Sequence, residues 1–182
     1  PCCLVGSEMC IRDRINNILE GKSRPGHFNG VATIVNKLFN LFAPDMVFFG
    51  EKDFQQTLII KELIKQFFPK ITIFICPTIR NKDGLALSSR NQLISKKLLP
   101  KCKIIFNTLE FAKANYNKID YQILSKKIKE KVEISDKFKL EYFEIRDNEK
   151  LNLFTNEKIH KFYRGFICVK VEGIRLIDNL LF

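Results

Sequence analysis

The sequence predicts an α/β protein: a parallel sheet with crossover helices, followed by a separate α+β unit. Two observations carry this. Up to Cys76, helical and strand-like apolar patterns alternate with short connections, as in a parallel sheet. Beyond it the order changes to a polar loop, then helices, then strands. A boundary near Cys76 to Ile79 follows, and no internal repeat is present.

Taken in order, Ser23 to Asn29 is loop-like, with Pro25 and Gly26 as breakers. Val31, Ile34, Val35, Leu38, Phe39 and Phe42 then recur at helical spacing, and Pro44 ends that helix. Met46 to Phe49 reads as a buried strand, closed by Gly50. Phe54 to Phe67 reads as a helix with Leu58, Leu63, Ile64 and Phe67 available for packing and Asp53 as N-cap. Ile71 to Cys76 is a second strand. Pro77 to Asn91 is a loop. Leu98 to Asn115 and Tyr121 to Val132 read as helices, and Leu140 to Arg146 and Phe166 to Val171 as strands.

Composition narrows the class. The chain has 182 residues, is 46% hydrophobic and carries a net charge of +11. The lysines are interleaved with Glu, Asp and Asn, which predicts solvated faces rather than a nucleic-acid surface. No apolar stretch is long enough to span a bilayer, and no signal peptide is legible, so a cytoplasmic protein is expected. Cys76, Cys102 and Cys168 are isolated and read as buried free thiols. Cys2, Cys3 and Cys10 lack the paired spacing of a zinc site.

Residues 1–14 differ in texture from the rest, with three cysteines and no lysine. They read as a non-native segment of the kind translated from adapter sequence. The expected organisation is residues 1–14 as that segment, 15–78 as a nucleotide-binding part and 79–182 as a smaller α+β domain.

Three constellations carry chemistry. The first is Gly50-Glu51-Lys52-Asp53, followed by Gln56, where strand gives way to helix. Ligands of open α/β sheets bind at such strand ends, and helix N-termini favour anions. Gly50 permits close backbone approach, Lys52 offsets phosphate charge, and Asp53 can accept from ribose hydroxyls. The bland alternative is a capped helix start with a solvated lysine. The second constellation is Asp83-Gly84-Leu85-Ala86-Leu87-Ser88-Ser89-Arg90-Asn91. Two hydroxyls and a forked guanidinium suit phosphate oxygens, though a turn with a surface arginine would read the same. The third is Arg24-Pro25-Gly26-His27-Phe28, where an anion contact competes with a packing role for a helix-entry histidine. His160 reads as a surface residue.

Together, in this order and spacing, these motifs resemble the pantothenate synthetase (pantoate–β-alanine ligase) family. The resemblance runs from about Ile15 to the C-terminus, where Arg175-Leu176-Ile177-Asp178-Asn179 also fits the family's ending. It implies a partial Rossmann-like nucleotidyltransferase sheet followed by a lid domain that closes over ATP. It places Gly50, Glu51, Lys52, Asp53, Ile79, Leu87, Ser88, Ser89 and Arg90 at ATP, with Ile79 by the adenine and Lys52 and Arg90 as the catalytic cations. Gln56 would bind pantoate. The implied substrates are Mg-ATP, pantoate and β-alanine, with no protein-held metal, nucleic acid or membrane partner. The implied assembly of the full-length protein is a homodimer. The implied reaction forms pantoyl adenylate and pyrophosphate, then pantothenate and AMP.

The family's His-x-Gly-His motif, which would supply phosphate contacts and an acid for the leaving group, has no counterpart among His27 and His160. The expectation is a chain truncated at its N-terminus and inactive alone. Two rival readings stand beside this one: another nucleotidyltransferase-superfamily enzyme, and a basic nucleic-acid-binding module.

Overall fold

The structure is a computed structural model that describes residues 15–155 and 162–182. Segment 1–14, with Cys2, Cys3 and Cys10, and His160 lie outside the described residues. The chain divides into two compact units, Pro1–Pro77 and Thr78–Phe182. The second is the longer of the two in this chain.

In the first unit, α1 (Leu19–Ser23) and α2 (His27–Phe42) precede β1 (Met46–Gly50). A single 3-10 turn, Glu51–Asp53, leads into α3 (Phe54–Phe67), which returns the chain to β2 (Thr72–Cys76). The two strands pair in parallel, from Met46 opposite Thr72 to Gly50 opposite Cys76. That is one βαβ crossover, and its register brings the carboxyl ends of both strands level.

The helices cover one face of this sheet. Phe39, Ile60, Leu63 and Ile64 form the core, with Val31, Val35, Val47, Phe49 and Ile73 packed against it. Ile60 is fully buried, a burial that contributes about 1.5–3 kcal/mol for a side chain of its size. The period-2 geometry of a strand sends the alternate residues the other way. Met46, Phe48 and Phe74 are exposed there, with the Phe48 and Phe74 rings stacked at 5.2 Å. Met46 to Phe49 is therefore a half-covered strand, not the buried one its unbroken apolarity suggested. The same holds for α2: Val31, Val35 and Phe39 face inward, whereas Ile34, Leu38 and Phe42 are exposed. Phe67 of α3 is exposed as well.

The second unit begins with a hairpin-like loop and two short 3-10 turns, Ser89–Leu93 and Leu99–Cys102. Helices α4 (Lys103–Asn115) and α5 (Tyr121–Val132) follow. Asp120 caps α5, its Oδ1 accepting from the amides of Gln122 and Ile123. Strands β3 (Phe138–Asp147), β4 (Tyr163–Val171) and β5 (Ile174–Leu181) form an antiparallel sheet in the order β3-β4-β5. Ile105, Leu109, Leu124, Ile128, Ile145, Ile167 and Val169 pack between helices and sheet.

β5 is a strand that the sequence pattern did not disclose. It is joined to β4 through Glu172 and Gly173, both at positive φ (50° and 81°), the geometry of a tight hairpin. Cys102 and Cys168 are buried free thiols, but Cys76 is exposed, because the last residue of β2 points to the uncovered side.

Candidate active-site residues

The strand-end turn lies as expected at the carboxyl end of β1. Gly50 has ordinary extended backbone (φ −76°, ψ 132°), and a Cβ built on it meets nothing within 4 Å. Neither backbone strain nor packing within the described residues calls for glycine here. What the missing side chain leaves is open space at the strand end. Asp53 occupies the N-cap position of α3 but accepts no capping hydrogen bond, so the expected cap is not made. The 3-10 turn ahead of the helix gives its backbone φ −96° and ψ 55°, outside the extended geometry of a capping residue. Its carboxylate stands 3.9 Å from Lys52 Nζ instead. The Lys52 side chain is mostly covered and the Asp53 side chain half exposed.

Gln56 is half-buried on the first turn of α3, and its side chain makes no hydrogen bond among the described residues. Its neighbour Gln55, not singled out by sequence, is the structural one of the pair. Gln55 is buried, accepts from the Glu20 amide at Oε1 (2.9 Å), and donates from Nε2 to the Ile18 and Ile15 carbonyls (3.2 and 3.4 Å). It ties α1 and the chain before it to α3. His27 opens α2, lies 5.2 Å from the Phe28 ring and accepts from Arg24 Nη1 (2.8 Å). The Arg24 guanidinium also stands 3.8 Å from Glu20. These contacts are those of a helix-entry packing residue.

In the second unit, the loop is a hairpin that presents its tip residues in sequence. Arg80 and Ala86 form an antiparallel bridge, and the Leu87 amide donates to the Ile79 carbonyl (2.9 Å). Asn81 Oδ1 accepts from the Asp83 and Leu85 amides (3.0 and 2.9 Å). The turn needs a left-handed residue, which Gly84 supplies at φ 88°. Leu85 and Ala86 are buried, while Ile79 and Leu87 are exposed at 72% and 52%. Two exposed apolar side chains, held opposite each other across the hairpin, form a surface that a planar base could cover.

Ser88 caps the 3-10 turn that follows, its Oγ accepting from the Arg90 amide (3.2 Å). A serine hydroxyl used as an acceptor keeps its own hydrogen to donate. Ser89 is exposed at the start of that turn. The Arg90 guanidinium makes one hydrogen bond among the described residues, from Nη1 to the Arg175 carbonyl (3.2 Å). Arg80, missed by sequence reasoning, is the saturated arginine of the loop. It donates to Asp178 through both terminal nitrogens (2.5 and 2.9 Å) and to the Gly84 carbonyl (3.0 Å). Its guanidinium also lies 4.2 Å from the centre of the Phe106 ring. The signal available in the sequence was Asp178 itself, an acid beside Asn179 in the otherwise apolar run from Leu176 to Phe182.

Comparison with known proteins bears on the family of the chain as a whole. The sequence profile of the family described as pantoate-beta-alanine ligase matches residues 7–181. Pantothenate synthetase of Azobacteroides pseudotrichonymphae is 39% identical over 92% of this chain and 60% of its own length. The enzyme of the same name from Legionella pneumophila strain Corby is 42% identical over 93% of the chain and 57% of its own length. The crystal structure of pantothenate synthetase from Thermus thermophilus superposes with a TM-score of 0.82 at 32% identity, over 92% of this chain and 60% of that one. A Francisella tularensis pantoate-beta-alanine ligase structure, complexed with beta-gamma ATP and beta-alanine, gives 0.61 at 34% identity, over 92% and 55%. The chain thus spans at most 60% of the length of these relatives. A profile match over nearly every residue, with relatives at about two-fifths identity and the same fold, places the chain in the pantoate-beta-alanine ligase family.

Proposed function

We propose that the chain carries ATP- and pantoate-directed residues of an AMP-forming ligase that condenses pantoate with β-alanine. The observation that carries this is Gly50. It sits at the carboxyl end of a parallel strand, needed by neither backbone nor packing, with Lys52, Asp53 and Gln56 in the next residues. Gly50 and Asp53 face the ribose, Lys52 the phosphates, Glu51 the same nucleotide and Gln56 the pantoate. In the second unit Ile79 and Leu87 take the adenine side, and Ser88, Ser89 and Arg90 the phosphates.

In the first step a pantoate carboxylate oxygen attacks the α-phosphorus of Mg-ATP, and the bond to pyrophosphate breaks. The obstacle is the approach of two anions. Lys52 and Arg90 offset that repulsion and stabilise the charge that gathers on the departing pyrophosphate. In the second step the β-alanine amine attacks the adenylate carbonyl carbon, AMP leaves with the C–O electrons, and the amine loses its proton. Mg²⁺ enters as part of the nucleotide substrate. Among the described residues no group of three or more His, Cys, Asp or Glu side chains is placed to hold a metal. The whole protein is a homodimer in the cytoplasm on this reading. Its free thiols and the absence, among the described residues, of a helix long and apolar enough to cross a membrane are compatible with that compartment.

Calorimetric titration of the purified chain with Mg-ATP and with pantoate tests the assignment. Mg-ATP binding that Lys52→Ala and Arg90→Ala each weaken by about tenfold, the effect of one charge-assisted contact, supports it. No binding of either substrate, or binding indifferent to both substitutions, refutes it.

A further inference from the structure

We propose that Asp178, near the end of the C-terminal strand, is a positioning residue for the phosphate-facing segment Leu87–Arg90, acting through Arg80. The proposal rests on the reading of that segment given above.

Arg80 and Asp178 are 98 residues apart in sequence, yet their side chains meet as a two-pronged pair at 2.5 and 2.9 Å. The Asp178 side chain is almost fully buried, and the Arg80 side chain is only 17% exposed. Such a fork fixes the guanidinium in plane as well as in place. The other side of that plane rests on Phe106, 4.2 Å from the ring centre. From this fixed point Arg80 Nη1 reaches the Gly84 carbonyl (3.0 Å), which spans the turn from inside. Arg80 also bridges to Ala86, the residue before Leu87. Any shift of the guanidinium therefore moves the strand that delivers Leu87, Ser88, Ser89 and Arg90.

Two further ties run from the same part of the unit to the next residues. Arg90 donates to the Arg175 carbonyl on β5, and Glu172 in the β4–β5 turn accepts from the Ser95 amide (3.0 Å). The loop is thus registered against the last hairpin at three successive points. Only the Asp178 point is charged on both sides and buried. Contacts to a phosphoryl group are sensitive to displacements of about 1 Å, so the buried pair sets how well the segment meets an anion without touching it.

The test uses the whole chain, with Asp178→Asn and Arg80→Lys. Amide hydrogen exchange at Leu85, Leu87 and Asn91 is read beside Ile167 and Val169 of β4. Binding of Mg-ATP is read beside adenosine, which shares the base and sugar but has no phosphate. The expected result is exchange at least about tenfold faster at the loop amides, with the β4 amides unmoved. With it, Mg-ATP affinity falls about tenfold while adenosine affinity holds. If Asp178→Asn loosens β4 too, Arg80→Lys decides, since it keeps a charge beside Asp178 and loses the planar fork with its reach to the Gly84 carbonyl. Unchanged loop amides, or equal losses for Mg-ATP and adenosine, overturn the proposal. A parent chain that binds no Mg-ATP removes the functional reading and the positioning role with it. That outcome is distinct from a parent that binds and variants that bind equally well.

Discussion

Gly84→Ala puts the hairpin geometry to a quantitative test. At φ 88° an alanine occupies the left-handed region, which costs about 1–2 kcal/mol for a residue with a Cβ. The new Cβ would also lie 2.5 Å from Cδ1 and 3.2 Å from Cε1 of Phe106. Carbon pairs are comfortable at roughly 3.5–4.0 Å, so the ring must move by about 1 Å, away from its place beneath Arg80. Overpacking of this kind adds about 1–3 kcal/mol. The expected total is about 2–5 kcal/mol. All four tyrosines of the chain, Tyr116, Tyr121, Tyr142 and Tyr163, belong to the second unit, and there is no tryptophan. Tyrosine fluorescence in urea therefore reports the unfolding of that unit alone. Combining Gly84→Ala with Phe106→Ala separates the two costs. The steric part, about 1–3 kcal/mol, appears as coupling between the sites, and the backbone part persists. A Gly84→Ala chain within about 0.5 kcal/mol of the parent refutes the geometry, and strictly additive single effects refute the Phe106 contact.

Four further outcomes are expected. Gln55→Ala removes the acceptor of the Glu20 amide and one donor to the Ile18 carbonyl, which still accepts from the Gly21 and Lys22 amides, at about 1–3 kcal/mol for the buried amide. It should speed amide exchange at Gly21 and Arg24, whereas Gln56→Ala should leave that exchange alone and weaken pantoate binding. Burial raises the Cys102 thiol from 9.0 to about 11, with Glu172 adding to the rise. The unfolded chain then releases this proton first, so stability is full below about pH 9 and falls as pH rises through about 11. Cys102→Ala should flatten that part of the urea-midpoint profile, leaving the later loss from Tyr121, which burial raises from 10.0 to about 12. Peptide-resolved alkylation of the native chain should modify the exposed Cys76 before Cys102 and Cys168, and the reverse order would contradict the burial. Arg80→Ala breaks the buried pair with Asp178 and should cost about 3–5 kcal/mol. Arg90→Ala breaks one bond to a carbonyl and should cost about 1 kcal/mol or less by the same urea assay.

The crossover β1–α3–β2 was legible because each element has a single strong signal. Apolar runs end at Gly50 and Cys76, and the helix between them is bounded by Phe54 and Phe67 as its pattern predicts. What periodicity cannot show is how many layers cover a strand. Phe48 and Phe74 look like core residues in sequence, yet they stack on an open face. β5 escaped notice for a different reason. Asp178 and Asn179 are adjacent, buried and polar, so they interrupt the alternation by which a strand is read. Their partners are Arg80, 98 residues away in the chain, and Arg164 on the neighbouring strand. Gln55 and Gln56 show the same limit at closer range. One residue of helical rotation, about 100°, makes one a buried brace and leaves the other half-buried with its amide unengaged.

The two arginines of the hairpin region show why composition alone could not single out the arginine proposed to meet phosphate. Both are cations near the same turn, and both suit an oxyanion in the abstract. The geometry distinguishes them by what each would have to give up. For Arg80 to meet a phosphate it must leave a buried carboxylate, a carbonyl and an aromatic face, breaking its two-pronged pair with Asp178. For Arg90 the exchange is a single neutral carbonyl for an anion, which strengthens the hydrogen bond it already makes. On the reading proposed above, an arriving triphosphate would recruit Arg90 at little cost and leave Arg80 where it is. The C-terminal stretch 175–179 serves both states: its Arg175 carbonyl holds the arginine that can be released, and its Asp178 carboxylate holds the one that cannot.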